Sequence, residues 1–183
     1  MGAARKPSRK PSPARRAGSS RTTRSLANQA AGRILGINHV AIAVRSLDDN
    51  IALFRRVLGV EPRAIEDLPE HGVRVALFVL GEDRLELLEP LGEKSPVAKF
   101  LEARGEGLHH VSLSVDDIAA ALARLDASGV PLIDRAGRTG AEGKLVAFIH
   151  PKGTGGILFE LSEDASRRRR PTGSPKSGNP EIG

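Results

Sequence analysis

The 183-residue chain has no cysteine, no tryptophan and no tyrosine, and five phenylalanines supply all of its 3% aromatic content. Without cysteine there are no disulfides, no thiolate metal ligands and no thiol nucleophiles, a composition that suits a reducing compartment. So few rings leave little on which nucleic-acid bases could stack. No apolar stretch approaches the roughly 20 residues of a membrane-spanning helix, so a soluble protein with no membrane partner is expected. The length is enough for one domain, or two small halves, with a real core.

Acidic residues are missing from one end altogether. Residues 1–33 hold nine Lys or Arg and no acid, and residues 164–183 hold five basic against two acidic residues. The intervening 34–163 carry fourteen basic and twenty acidic residues, so the middle has a net charge of −6 although the whole chain stands at +6. The ends are rich in Pro, Ser and Gly, bury too little apolar surface to offset the entropy of ordering, and are expected to be disordered tails. Arg167, Arg168, Arg169 and Arg170 would attract phosphate, yet nucleic acid is not expected as a partner. An Arg- and Ser-rich, acid-poor leader also suits organellar targeting. Pro7, Pro11 and Pro13 interrupt the amphipathic helix that such a leader would form.

What the chain does have is a repeat. Gly36-Ile37-Asn38-His39-Val40 recurs as Gly107-Leu108-His109-His110-Val111. Each histidine is followed by an alternating stretch, an acidic helix start, and a Gly-Val stop at Gly59-Val60 and Gly129-Val130, 20 and 19 residues on. Each copy closes on a strand-like segment with one glutamate among apolar neighbours, Glu86 and Glu160, 47 and 50 residues after its histidine.

Periodicity predicts strand, helix, then two or three strands in each copy. His39, Ala41 and Ala43 share one face of the first strand, with Val40, Ile42 and Val44 on the other. Ser46 with Asp48 and Asp49 starts a helix that Gly59 stops. Val73 to Leu80 and Arg84 to Glu89 read as strands, and Ser95-Pro96 opens a linker helix of about 95–103. In the second copy His110, Ser112 and Ser114 oppose Val111, Leu113 and Val115, and Ile118, Leu122 and Leu125 line a helix. Leu145 to His150 and Gly156 to Leu161 finish the copy as strands. The expected organisation is a basic tail (1–33), one α+β domain (34–163, with modules of about 34–90 and 105–163) and a second tail (164–183).

If the two halves pair about a pseudo-twofold axis, His39, His110, Glu86 and Glu160 converge. Two neutral imidazoles and two carboxylates compensate a divalent cation and leave coordination positions open, as catalysis requires. A lone strand histidine is usually structural, and the fourfold repeat is what favours ligands. Buried carboxylates also need a partner. His109 is expected on the face opposite His110, in a structural or supporting role. His71 and His150 sit by loops, with His150-Pro151-Lys152 a possible anion contact. Thr154-Gly155-Gly156 lacks the Gly-Lys-Ser/Thr ending of a phosphate loop and reads as a turn.

The segments His39-Val40-Ala41-Ile42-Ala43-Val44, Glu70-His71-Gly72-Val73, Glu86-Leu87-Leu88-Glu89-Pro90, Ser95-Pro96 through Phe100-Leu101, Leu108-His109-His110, and His150-Pro151-Lys152 with Gly155-Gly156 carry a resemblance. From about Gly36 to Glu163 the chain resembles the vicinal-oxygen-chelate (glyoxalase-type) fold, and within it most of all the methylmalonyl-CoA epimerases. The resemblance implies paired βαβββ modules forming a cupped mixed sheet, a divalent metal (Co2+ first, with Mn2+, Ni2+ or Zn2+ as alternatives), an acyl-CoA substrate and a homodimer. It implies a cytoplasmic enzyme, or one of the mitochondrial matrix in a eukaryotic source.

By the resemblance, His39, Glu86, His110 and Glu160 match the metal positions, and Glu86 stands where some members have glutamine. Glu160 is also implied as one acid/base group. Some relatives place a second glutamate on the strand after the Gly72-Val73 step, where this chain has Val75, which leaves that role open to another residue or a water, with Glu86 as one candidate. Three alternatives remain open: a glyoxalase I (lactoylglutathione lyase)-type isomerase, an extradiol dioxygenase, and a metal-free binding module of the same fold.

Overall fold

The computed structural model describes residues 32–164. The basic tails therefore lie outside the described residues, except for positions 32, 33 and 164. Arg33 makes a two-way connection to Asp116: its backbone N–H and its guanidinium both donate to the carboxylate, at 2.7 and 3.0 Å.

The first module runs β1 (Ile34–Ala43), α1 (Leu47–Leu58), β2 (Ala64–Leu68), β3 (Val73–Leu80) and β4 (Asp83–Pro90). The linker helix α2 (Pro96–Arg104) leads to β5 (Gly107–Val115), α3 (Ile118–Ala127), β6 (Arg138–Thr139), β7 (Leu145–Ile149) and β8 (Phe159–Glu163). Each module is thus βαβββ, as the repeat predicts. The eight strands form one mixed sheet in the order β2-β3-β4-β1-β5-β8-β7-β6. The modules join through antiparallel β1 and β5, and each first strand pairs in parallel with the last strand of its own module. The short edge strands β2 and β6 follow no strong alternation, and the sequence does not mark them individually. Strand β8 begins at Phe159 rather than Gly156, because residues 151–156 are spent on turns in which the Gly153, Thr154 and Gly156 amides bond back to His150 and Pro151.

Local chemistry sets the helix ends. The Ser46 hydroxyl accepts from the Asp49 amide at 3.2 Å, and Gly59, at φ 68°, takes the left-handed position that a side chain disfavours. Asp117 caps α3 on the Ala120 amide at 2.9 Å. A second device appears in both copies. Glu89 accepts from the Leu47 amide at 2.9 Å and Glu163 from the Ile118 amide at 2.8 Å, so a glutamate at the end of each last strand holds the first turn of that module's helix. Each lies three positions after Glu86 or Glu160. In a strand that odd offset places it on the opposite face, under the helix.

Both faces of the sheet carry buried apolar clusters. Leu47 and Ile51 of α1 pack on Val44, Ala76, Phe78 and Leu87, and Ile118, Ala121 and Leu122 of α3 pack with Ala147, Ile149 and Leu161. Burying each large side chain of this kind stabilises the fold by about 1.5–3 kcal/mol. The other face carries Ala41, Ala43, Leu68, Val73, Val75 and Leu88, packed against Val97 and Leu101 of α2. Beyond this packing the same side of the sheet is hollow.

Candidate metal centre

The hollow is a cavity of about 380 Å³ whose lining includes His39, Glu86, His110 and Glu160. The His39 and His110 Nε2 atoms are 3.2 Å apart. Glu160 brings Oε1 to 3.8 Å from His39 Nε2 and Oε2 to 3.9 Å from His110 Nε2. One ligand atom from each of His39, His110 and Glu160 falls within 4.8 Å of the other two. Glu86 approaches from the first module, with Oε2 at 3.5 Å from His39 Nε2. The structure therefore brings together a buried His39, His110 and Glu160, with Glu86 beside them.

Burial, aided by the positive charges of Lys144 and Arg84, pushes the His39 imidazole down to about 4. Burial also holds His110 well below its ordinary value. Burial pushes Glu86 and Glu160 up to about 7; the charge of Glu160 adds to the effect on Glu86, whereas the hydrogen bond from Ser112 opposes it on Glu160. Ser112 Oγ donates to Glu160 Oε1 at 2.7 Å. In the absence of a cation the carboxylates thus hold protons up to about pH 7 while the imidazoles are neutral.

The residues fit a divalent cation. The two Nε2 atoms share a hydrogen bond of 3.2 Å, and once a proton sits on Nδ1 of each imidazole both Nε2 lone pairs are directed at a cation that takes the place of the shared proton. That separation matches the ~3 Å expected of two nitrogens at right angles on a metal, each about 2.1 Å from it. Among the described residues no buried side-chain nitrogen or oxygen lacks a hydrogen-bond partner.

His109 departs from expectation. Ala41 pairs with His110 but Ile42 pairs with Leu108, so β5 bulges at His109. A bulge spoils strict alternation, and His109 therefore lines the same cavity as His110 instead of facing away. Its Nδ1 is 2.9 Å from His110 Nδ1, and its ring meets Phe100 edge-on at 4.9 Å. Val75 is buried and apolar in the cavity wall.

The rim is polar and joins the modules. His71 Nε2–H donates to the Thr139 carbonyl at 2.7 Å, and the Arg138 guanidinium donates to His71 Nδ1. Arg84 meets Glu142 at 2.8 Å, and Glu142, at φ 55°, also binds Lys144. His150 accepts from the Lys152 amide at 3.1 Å, so its ring caps a turn. The sequence does not single out Ser112, Asn38 or the rim pairs as functional. Ser112 alone leaves a signal, because it shares the face of His110.

The fold and its paired His/Glu floor define a vicinal-oxygen-chelate protein. The family model described as the Glyoxalase/Bleomycin resistance protein/Dioxygenase superfamily matches residues 38–148. An ethylmalonyl-CoA/methylmalonyl-CoA epimerase of Cereibacter sphaeroides is 45% identical over 129 residues, covering 69% of this chain and 96% of that protein. The structure of methylmalonyl-CoA epimerase from Mycobacterium tuberculosis superposes with a TM-score of 0.70 at 37% identity, covering 74% of this chain and 92% of that one. A single-residue variant of the Streptomyces coelicolor methylmalonyl-CoA epimerase, in complex with 2-nitronate-propionyl-CoA, gives 0.70 at 34% identity, with 73% and 97% covered. This chain belongs to the methylmalonyl-CoA epimerase family of that superfamily.

Proposed function

We propose that the protein is an isomerase that interconverts (2R)- and (2S)-methylmalonyl-CoA, with His39, Glu86, His110 and Glu160 holding a divalent metal, Co2+ in first place. One observation carries the reading: two imidazole Nε2 atoms 3.2 Å apart share the floor of an apolar-walled cavity with two carboxylates whose affinity for protons is raised to about 7.

Epimerisation removes the proton at C2, which is flanked by a thioester and a carboxylate, and returns one to the opposite face. A bound divalent cation supplies Lewis-acid stabilisation of the negative charge that develops on the thioester oxygen. The protein's part is to exchange the proton. Glu160 accepts it on one side, with Ser112 Oγ–H fixing the orientation of its carboxylate. Glu86, on the opposing module, serves the other side in place of the apolar Val75. Burial raises the proton affinity of both carboxylates in the metal-free protein, and a bound cation would lower it again, leaving them as acceptors at neutral pH. Val73, Val75 and Leu88 keep bulk water from the reacting carbon.

Incubation with methylmalonyl-CoA in deuterated water tests the reading. Deuterium is expected at C2, with no turnover of methylglyoxal plus glutathione; the reverse result replaces the epimerase by a glyoxalase I-type isomerase. The assembly is read as a homodimer, supported by the exposed Ile34, Leu35 and Ile37 at the start of β1. A monomeric mass in light scattering overturns that. Among the described residues no helix is long and apolar enough to cross a membrane. The compartment is read as the cytoplasm, or the mitochondrial matrix in a eukaryotic source.

A further inference from the structure

The residue before each site histidine is the extra residue of a β-bulge. Ile37 pairs with Leu113 and His39 with Ser112, so β1 gains Asn38; Ala41 pairs with His110 and Ile42 with Leu108, so β5 gains His109. Both extra side chains line the cavity beside the histidine that follows. Asn38 Oδ1 lies 3.1 Å from His39 Nδ1, and His109 Nδ1 lies 2.9 Å from His110 Nδ1. We infer that Asn38 and His109 are a matched pair of positioning residues, each accepting the Nδ1 proton of its neighbour and so holding the bare Nε2 toward the centre.

The proton bookkeeping follows from the partners. A neutral imidazole carries one proton, and a ligand nitrogen must be without it. The Asn38 amide presents oxygen to His39 because its Nδ2 is spent as a donor to Ser114 Oγ at 3.0 Å. The Nδ1···Nδ1 contact of His109 with His110 accommodates one proton. When His110 bares Nε2 that proton sits on His110, and His109 holds its own on Nε2. Phe100 packs edge-on against the His109 ring and sets its plane. The bulges explain how a residue adjacent in sequence can do this: in a regular strand it would point to the other face.

The inference rests on the metal reading but is tested apart from catalysis. In 15N-labelled protein loaded with diamagnetic Zn2+, long-range 1H–15N correlation spectra report which nitrogen of each imidazole carries the proton, and calorimetric titration with Co2+ reports affinity. Wild type is expected to show Nδ1–H on both His39 and His110. Asn38→Leu shifts His39 toward Nε2–H, leaves His110 unchanged and weakens Co2+ binding about 10–100-fold; Asn38→Asp restores both. His109→Leu does the same to His110 alone, and His109→Gln restores it. Unchanged tautomers in the leucine variants, or equal disturbance of both rings by either one, overturn the assignment. Should a leucine variant fail to fold, the Asp and Gln variants decide, since a shifted tautomer in a protein that keeps the acceptor is equally fatal. Loss of epimerase activity with the tautomers as stated would instead count against the proposed reaction.

Discussion

The two modules deliver the same pair of residues to the cavity and surround them differently. In the second module Glu160 is oriented by the Ser112 hydroxyl, and Arg138, Glu142 and Lys144 bring charge to the rim. In the first module Glu86 has no hydroxyl donor of this kind among the described residues; it meets His39 at 3.5 Å and feels the charges of Glu160, Lys144, Glu142 and Arg84 across the cavity. A duplicated frame thus carries two buried carboxylates at equivalent positions, one clamped by a hydroxyl donor and one beside an imidazole. That asymmetry suits a reaction in which one group must remove a proton and another return it.

The largest expected effect comes from the clamped side. Glu160→Gln keeps the shape, removes the charge and the proton acceptor, and is expected to lower epimerisation on the order of 10³-fold in a coupled assay, with weaker Co2+ binding. The same change in the apolar half sharpens the contrast. Glu86→Gln is expected to slow deuterium exchange at C2 by about 10²-fold while costing less in metal affinity. Full exchange in that variant would leave Glu160 as the one carboxylate in the chemistry and make the halves unequal in role as well as in setting.

Proton release on metal uptake sharpens it further. In the metal-free protein Glu86 and Glu160 bind protons up to about pH 7, whereas His39, down at about 4, is already bare. Co2+ binding at pH 6 is expected to expel one proton from each carboxylate, and release should fade as pH rises through 7. Calorimetry in buffers of different ionisation enthalpy counts the protons; release that instead grows with pH would reverse the assignment.

The smallest effect concerns the helix anchors. Glu163, buried under α3, is expected to cost about 2 kcal/mol on replacement by Gln, and the half-buried Glu89 about 1 kcal/mol, by urea unfolding. Equal losses would show that burial does not separate the two anchors.

Much of the frame was legible because duplication repeats a period. His39 and His110 open equivalent strands, Gly59 and Gly129 follow equivalent helices, and the two glutamates mark equivalent last strands. The edge strand β6, two residues long, carries too few positions for alternation to register. The place of His109 escapes the pattern for a related reason: alternation assumes an unbroken ladder, and a bulge shifts register without leaving a residue pattern of its own. Glu89 and Glu163 look like ordinary strand-end charges until the helix amides above them are seen.

Residue types and their intervals were enough to establish two βαβββ units and the imidazoles and carboxylates each would offer, because backbone periodicity and donor chemistry are local properties. Which partners meet was decided only when the sheet curled. Ser112 reaching Glu160, Asn38 and His109 turning beside their histidines, and Arg84 crossing to Glu142 depend on strand register and curvature. Those are set by packing summed over the whole sheet, and no single stretch of the chain contains them.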